Sequence, residues 1–338
     1  MKKGVILLAG KLIGIDIGGT KCAVVLGGLK NGCPVPMARQ SFSTADYPTP
    51  ERALEQLSFL IEEMTGGEWS QYEGIGISCG GPLNSQKGLI LSPPNLPGWD
   101  AVPICRFFEE RLHLPAFLQN DANACAMAEW KYGAGMGCKN MIFLTFGTGL
   151  GAGLILNGQL YTGADDLAGE AGHIRLAPFG PVGYGKSGSF EGFCSGGGIA
   201  RLARIMAEEK KQMGDFHPFC APEADVSAKS VFSLAREGDA LCRAVCETVG
   251  TYLGKGLSIL IDLLNPDAVV IGSIYARNED MLRPIAEQTL KAECLTAAYR
   301  RCALRPAALG EQIGDIAALT VAMGTPSCGY SVAEQEYF

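Results

Sequence analysis

The sequence predicts an α/β protein built from two related halves. Three observations carry that expectation. Apolar strand-like runs alternate with amphipathic helix-like segments along most of the chain, as α/β architecture requires. A strand–glycine turn–strand unit occurs twice, around Asp16 and again around Phe146. The length of 338 residues favours two domains over one.

Leu12 to Ile17 alternates apolar and small residues, breaks at Gly18-Gly19, and resumes as an apolar run at Cys22 to Leu26. This reads as strand, turn, strand. "PTPERALEQLSFLIEEM" opens with Pro and Thr and keeps helical apolar spacing, so it reads as a helix. "GIGIS" is a short buried strand that ends in the turn Cys79-Gly80-Gly81-Pro82. "PICRFFEERLH" is a helix, "AFLQN" a strand, and "DANACAMAEWKYG" a helix that Asp121 can cap. The pattern restarts with "NMIFLTFGTGLGAGLILNGQL". Helices are then expected over 196–209 and 227–237 and from Leu241 onward, followed by the buried strand "DAVVIG" and a closing helix "IGDIAALTVAM". The segment from Gln212 to Asp225, with Pro218 and Pro222, is expected to be an exposed loop. The expected division is a first domain of residues 1–125 joined by a returning helix at about 313–338, and a second of 126–312.

Composition narrows the function. A net charge of −7 without a basic run argues against nucleic acid as a partner. The 13 cysteines are odd in number and scattered, with no C-x-x-C pair. Cys22 and Cys125 lie inside apolar patterns and read as small buried side chains, so reduced thiols in a cytoplasmic protein are expected. The start, "MKKGVILLAGKLIG", imitates a signal peptide, but its apolar run before Lys11 is only seven residues and no small-residue cleavage site follows. No apolar stretch approaches the roughly 20 residues that span a bilayer.

Three motifs carry chemistry. In "DIGGTK", Asp16 to Lys21, a carboxylate ends a strand, two glycines let backbone N–H groups approach an anion, and Thr20 and Lys21 add a hydroxyl and a charge. "TFGTGLGAG", Thr145 to Gly153, makes a second such turn, followed by a strand rather than the helix of a dinucleotide fingerprint. In "LQNDANACAMAEW", Asp121 stands at a strand end and helix start, where loops line clefts in α/β folds, with amides at Asn120 and Asn123. A carboxylate there can accept a hydroxyl proton, the one covalent task that phosphoryl transfer leaves to a side chain. Each motif alone is equally an ordinary turn or a helix cap.

Together, one in each half, the two glycine hairpins resemble the phosphate-clamping hairpins of the actin/hexokinase/Hsp70-like (ribonuclease H-like) ATPase fold, which has an interdomain cleft. DIGGTK, NDAN, GTGLGAG and GEAGH, in this order and spacing, resemble the ROK family of bacterial sugar kinases and repressors. "SPPNLPGWD" and "CGGP" are similar to that family's substrate loop and preceding turn, and the likeness runs from about Leu12 to Met323. The resemblance implies ATP-dependent phosphorylation of a hexose, glucose first, with Asp121 as general base. It implies that Asn120, Glu170, His173 and Glu191 contact sugar hydroxyls, with Gly81 and Asn95 from facing loops. It places Asp16 near Mg²⁺ through water, and phosphates on Gly18, Gly19, Thr20, Lys21, Thr148 and Gly149. The nucleotide end falls near Gly272, where this chain reads Gly272-Ser273 in place of a double glycine.

N-acetylmannosamine, N-acetylglucosamine and fructose are alternative substrates within the family. A non-catalytic sugar-binding protein is the alternative of another class. The family's repressors carry a DNA-binding domain ahead of the sugar fold. With DIGGTK already at Asp16, an enzyme is expected, and a homodimer. Family members also hold a structural zinc on GExGH and three following cysteines. Aligning Gly185, Gly188 and Glu191 puts Val182, Tyr184 and Ser189 at those cysteines. Zinc is therefore expected to be absent, because valine cannot ligate and Tyr and Ser ligate poorly at neutral pH. Tyr184 and Phe190 are expected to pack where the metal would lie.

Overall fold

The computed structural model describes residues 9–324. The signal-like residues before Ala9, Cys328 and the last part of the expected returning segment lie outside the described residues.

The first half builds a five-stranded sheet. β1 (Ala9–Ile17), β2 (Lys21–Lys30) and β3 (Cys33–Ser43) form an antiparallel meander. Helix α1 (Pro50–Thr65) leads to β4 (Tyr72–Cys79), parallel to β1. A short hairpin of β5 (Leu83–Asn84) and β6 (Leu89–Ile90), then α2 (Ile104–Leu112), leads to β7 (Ala116–Asn120), parallel to β4. The order is β3-β2-β1-β4-β7. β1 is central, and the burial of Leu12 as well as Ile13, Ile15 and Ile17 shows both of its faces covered. Thr49 caps α1 through the Arg52 N–H, Pro50 fits its first turn, and left-handed Gly66 ends it. The apolar faces of α1 and α2 cover one side of the sheet.

After α3 (Asp121–Tyr132) the pattern repeats. β8 (Met141–Leu144), β9 (Ala152–Leu156) and β10 (Gln159–Tyr161) form a second antiparallel meander. A small hairpin of β11 (Val182–Gly183) and β12 (Lys186–Ser187) is followed by α4 (Phe190–Phe193), α5 (Gly196–Gln212), α6 (Ala228–Glu237) and α7 (Ala240–Leu264). β13 (Ala268–Ile271) runs parallel to β8. Then α8 (Ser273–Arg277), α9 (Glu279–Glu293) and α10 (Thr296–Arg301) precede β14 (Ala303–Pro306), parallel to β13. The order β10-β9-β8-β13-β14 repeats the first sheet strand for strand.

Two helices fill the space between the sheets: α3 and α11 (Ile313–Ala322). α11 lies on the first sheet so closely that a Cβ at Gly76 would come within 2.0 Å of the Ala318 carbonyl oxygen. α3 packs on α11 through Ala124 and Ala128, and its other side meets β9, where a Cβ at Gly153 would lie 2.5 Å from that of Ala126. Glycines at these strand positions let helix backbone reach sheet backbone. The outer face of the second sheet is buried by α5, α6 and α7 in the largest core.

Two expectations need correction. The 212–225 segment is not wholly exposed: Phe219 is buried in the core, and His217 is buried beside Asp239, with its Nδ1 accepting the Phe219 N–H at 3.1 Å. Cys125 is only half-buried, because α3 turns it toward the space between the sheets, whereas Cys22 is fully buried. No helix among the described residues is long and apolar enough to cross a membrane.

Candidate functional site

The first glycine turn joins β1 to β2. Between the last paired residues, Ile17 and Cys22, the Gly18 N–H donates to the Lys21 carbonyl at 3.0 Å. Thr44, just after β3, fixes the turn twice: its hydroxyl donates to the Gly18 carbonyl at 2.7 Å and its N–H to the Thr20 carbonyl at 3.0 Å. Gly19, Thr20 and Lys21 are exposed. A Cβ on Gly19 would lie 2.6 Å from the Asn95 carbonyl oxygen, so this turn abuts the 92–100 loop that carries Asn95. That loop is anchored by the buried side chains of Leu96 and Trp99. Asp16 is half-buried at the end of β1. Burial pushes its carboxyl up to about 6, the negative charges of Asp121 and Asp315 add to this, and Arg39 opposes it.

Asp121 does not cap α3. Asn120 does, its Oδ1 accepting the N–H groups of Ala122 at 3.0 Å and Asn123 at 3.4 Å. The amide is the better-placed acceptor one residue earlier, so the Asp121 carboxylate is released toward the cleft, bonded at 2.7 Å to the Ala122 N–H. It is open to water from the cleft side and closely enclosed by protein elsewhere. Burial raises its pKa, and the N–H groups of Ala122 and of Asp121 itself pull it back down. With Oδ1 committed to the cap, Asn120 keeps its Nδ2 donor near Gly81.

The second glycine turn, between paired Leu144 and Ala152, is held from farther away. Glu191 accepts the Leu150 N–H at 3.1 Å. The Gly196 N–H, at the start of α5, donates to the Gly147 carbonyl at 2.8 Å, and the Ile274 N–H, in α8, to the Phe146 carbonyl at 3.0 Å. Within the turn Thr145 Oγ1 accepts the Gly151 N–H at 2.9 Å. The Gly272 N–H donates to the Leu144 carbonyl at 2.9 Å. Ser273 has φ +50°, which explains why a second glycine is the easier residue there.

The GEAGH stretch and the following loop form the opposite wall. The Glu170 carboxyl is raised chiefly by burial; His173 opposes the rise, and the charges of Asp121 and Glu191 add to it. His173 is exposed, with the Tyr184 ring edge-on at 5.7 Å. Where the family's cysteines would lie, the chain makes the β11–β12 hairpin, with Tyr184 and Gly185 both at positive φ, as a tight two-residue turn needs. Ser189 is buried, accepts the Gly192 N–H at 3.1 Å and donates to the Gly183 carbonyl at 3.3 Å. The Gly188 carbonyl accepts the Leu176 N–H and the Ile174 carbonyl the Phe190 N–H, both at 2.8 Å. Backbone and serine bonds hold this loop. The expected packing of Tyr184 with Phe190 is half wrong: Phe190 is fully buried against Gly256 of α7, but Tyr184 is 62% exposed because the hairpin turns it outward. Cys194 is a core residue whose thiol meets the Val249 carbonyl.

These walls enclose two adjoining cavities of about 380 and 700 Å³. The smaller is lined by Asn120, Asp121, Thr148, Gly149, Glu170 and Glu191 among others, and the larger adds Asn95, His173, Leu167 and Tyr184. Gly81 borders both. Asp16, Gly18, Thr20, Lys21 and Gly272 do not line them. Gly19 reaches the larger one only through its contact with Asn95. A third cavity of about 770 Å³ lies beside Ile274, bordered by Phe232, Arg236, Arg277 and Glu311. Sequence reasoning missed Thr44 and Asp166, neither of which belongs to a glycine or acid motif. The positive φ of Asp166 has no sequence signal beyond aspartate being a residue type that tolerates it.

A family model described as ROK family matches residues 12–324. The glucokinase of Halalkalibacterium halodurans is 32% identical over 317 residues, covering 90% of this chain and 92% of that protein. The crystal structure of a ROK family glucokinase from Streptomyces griseus, in complex with glucose and AMPPNP, superposes with a TM-score of 0.72 at 27% identity, covering 93% of this chain and 99% of that one. A ROK family transcriptional regulator, described as a homologue of the E. coli MLC protein, superposes with a TM-score of 0.80 at 25% identity, covering 94% of this chain and 79% of that one. With the family model spanning both sheets and every motif, the chain belongs to the ROK family and has its two-sheet actin-like fold.

Proposed function

We propose that this protein is an ATP-dependent sugar kinase that phosphorylates a hexose, glucose first, in the cleft between its two sheets. The supporting observation is that Gly81, Asn95, Asn120, Asp121, Glu170, His173 and Glu191 line two adjoining cavities together with Thr148 and Gly149 of the second glycine turn. Asp121 takes the proton from a sugar hydroxyl. The hydroxyl oxygen then bonds to the γ-phosphorus of ATP as the bond to the β-phosphate oxygen breaks, and ADP leaves. Asn120 Nδ2, Glu170, His173 and Glu191 orient the sugar. Backbone N–H groups of the two glycine turns, with Thr20, Lys21 and Thr148, hold the phosphates. Asp16 would hold a hydrated Mg²⁺, since the negative charges of Asp121 and Asp315 bear on it while Arg39, which opposes them, is paired with Asp315 at 3.0 Å. Bound with ATP, that ion would neutralise phosphate charge. The cavity beside Ile274 takes the nucleoside end.

An N-acetylhexosamine is the second reading, favoured by the larger cavity, whose lining includes the apolar side chains of Leu150 and Leu167. The unit boundaries stay as proposed, 1–125 with the helix from about 313, and 126–312, along with a homodimeric assembly. We further propose that the β11–β12 loop works without zinc.

The test is a coupled ADP-release assay over hexoses and N-acetylhexosamines. Turnover should concentrate on one sugar, and Asp121→Asn should lower kcat by about 10²–10⁴-fold while sugar binding persists. Near-normal Asp121→Asn turnover would remove Asp121 as the base. Wild-type silence with sugar binding intact would leave a non-catalytic sugar-binding protein. About one zinc per chain surviving chelation would refute the metal-free loop.

A further inference from the structure

We propose that Asp166 and Ser85 form a clasp across the cleft, which makes Asp166 a positioning residue for the transfer reaction; this rests on the kinase reading above. Asp166 lies in the loop after β10 of the second half, and Ser85 in the β5–β6 turn of the first. The Ser85 N–H donates to one Asp166 carboxylate oxygen at 2.7 Å and the Ser85 hydroxyl to the other at 2.9 Å. One residue thus engages both oxygens of a carboxylate, the two-point geometry that gives charge-assisted bonds their specificity.

Both ends of the clasp are held firmly. The β5–β6 turn is fixed by Asn84, whose Oδ1 accepts the Lys87 N–H at 2.8 Å, and by buried Leu83. Gly88 packs so tightly that a Cβ there would lie 2.5 Å from that of Cys105. Asp166 has φ +57°, a left-handed backbone that aspartate tolerates better than most side chains and that presents its carboxylate to Ser85. Asp166 also borders the smaller cavity with Asp121 and Glu170. Separating the halves to admit a sugar breaks both bonds, and closing over it remakes them. The clasp therefore raises the fraction of molecules in the closed, sugar-holding state, and apparent sugar affinity scales with that fraction. Closure also excludes water, so the clasp limits ATP hydrolysis relative to transfer.

Three variants separate the clasp from other roles. Asp166→Gly keeps the left-handed backbone and removes the carboxylate. Ser85→Ala removes the hydroxyl bond and leaves the N–H bond. Asp166→Asn keeps both contacts, accepting from the N–H and donating its amide to the hydroxyl. Sugar binding is measured by titration, ATP hydrolysis without sugar by ADP release, and compactness by small-angle X-ray scattering. Asp166→Gly should weaken sugar binding about 10-fold and Ser85→Ala about 3-fold, and the double variant should match Asp166→Gly. Asp166→Asn should stay near wild type. Ligand-free Asp166→Gly should show a larger radius of gyration and more sugar-independent hydrolysis, and saturating sugar should restore its compactness. Additive single effects, or unchanged scattering in Asp166→Gly, would overturn the clasp. An effect in Asp166→Gly with none in Ser85→Ala would overturn it too, since Asp166 would then act on the sugar directly. A clasp-dependent change in compactness without turnover on any sugar would uphold the clasp and remove the kinase reading.

Discussion

The two glycine turns occupy the same place in two sheets of identical strand order, yet they are built differently. The first closes with four residues between Ile17 and Cys22, the second with seven between Leu144 and Ala152. One residue before the closing pair, the first has Asp16 opposite Ala23, and the second has buried Phe143 opposite Gly153. The first is tied by a hydroxyl from just beyond the end of β3, that of Thr44. The second is tied by a carboxylate, Glu191, and by the N-terminal turns of α5 and α8. A repeated scaffold has thus been given unlike duties. The first turn carries a charge at the end of its strand, and the second is tied to distant parts of its own half.

The charge difference yields the largest expected effect. The folded-state pKa of Asp16, about 6, lies above the 3.8 of an unperturbed aspartate, so the folded protein holds that proton more tightly than the unfolded chain. The ionised group consequently opposes folding at neutral pH. The penalty fades as pH falls through about 6 and is absent below about 3.8. Asp16→Asn should therefore stabilise the protein at pH 7 by at most about 3 kcal/mol, and not at all near pH 3.5, while removing most kinase activity. Urea unfolding at both pH values checks this. Equal effects at the two pH values would mean that the first turn stores no charge strain and differs from the second only in length and in its ties.

The ties yield the next effect. Glu191→Gln keeps an acceptor for the Leu150 N–H but loses its charge, a difference of about 1–1.5 kcal/mol, so kcat/KM for ATP should fall about 10-fold. The split between substrates separates the two roles of Glu191. A rise confined to the sugar KM would show direct sugar contact only, and the second turn would not depend on its carboxylate tie.

The same contrast decided what could be read from the sequence. Asp16, the glycines and Asp121 announce themselves through local pattern, because turn chemistry needs particular residues at adjacent positions. The helix-capping pair was misread by one residue, since Asn120 and Asp121 are equally good caps and only the cleft tells them apart. β3 escaped because Pro34 and Pro36 interrupt its alternation, which an edge strand tolerates, and most of it is only partly buried. α9 escaped because Pro284 lies inside it. Thr44, Ser85 and Asp166 act through partners 26 or 81 residues away, so no local window contains their reason for being there. The β11–β12 loop sits between these cases: the missing cysteines were visible, but the serine and backbone bonds that replace them were not.

Thr44 gives the smallest and sharpest test. Thr44→Val keeps the shape of the side chain and removes the hydroxyl's bond to the Gly18 carbonyl together with its weaker contact to the Cys22 thiol, while the backbone bond to the Thr20 carbonyl remains. A neutral hydrogen bond contributes about 1 kcal/mol, so kcat/KM for ATP should fall about 5-fold, with the sugar KM unchanged. Thr44→Ser restores the hydroxyl and should recover the loss. The turn is short and already closed by the Gly18–Lys21 bond, so it needs little outside help. The longer turn has more freedom to lose and a stronger tie to lose it to. A Thr44→Val defect as large as that of Glu191→Gln would reverse this order and make the local turn, rather than the distantly stitched one, the more fragile of the two.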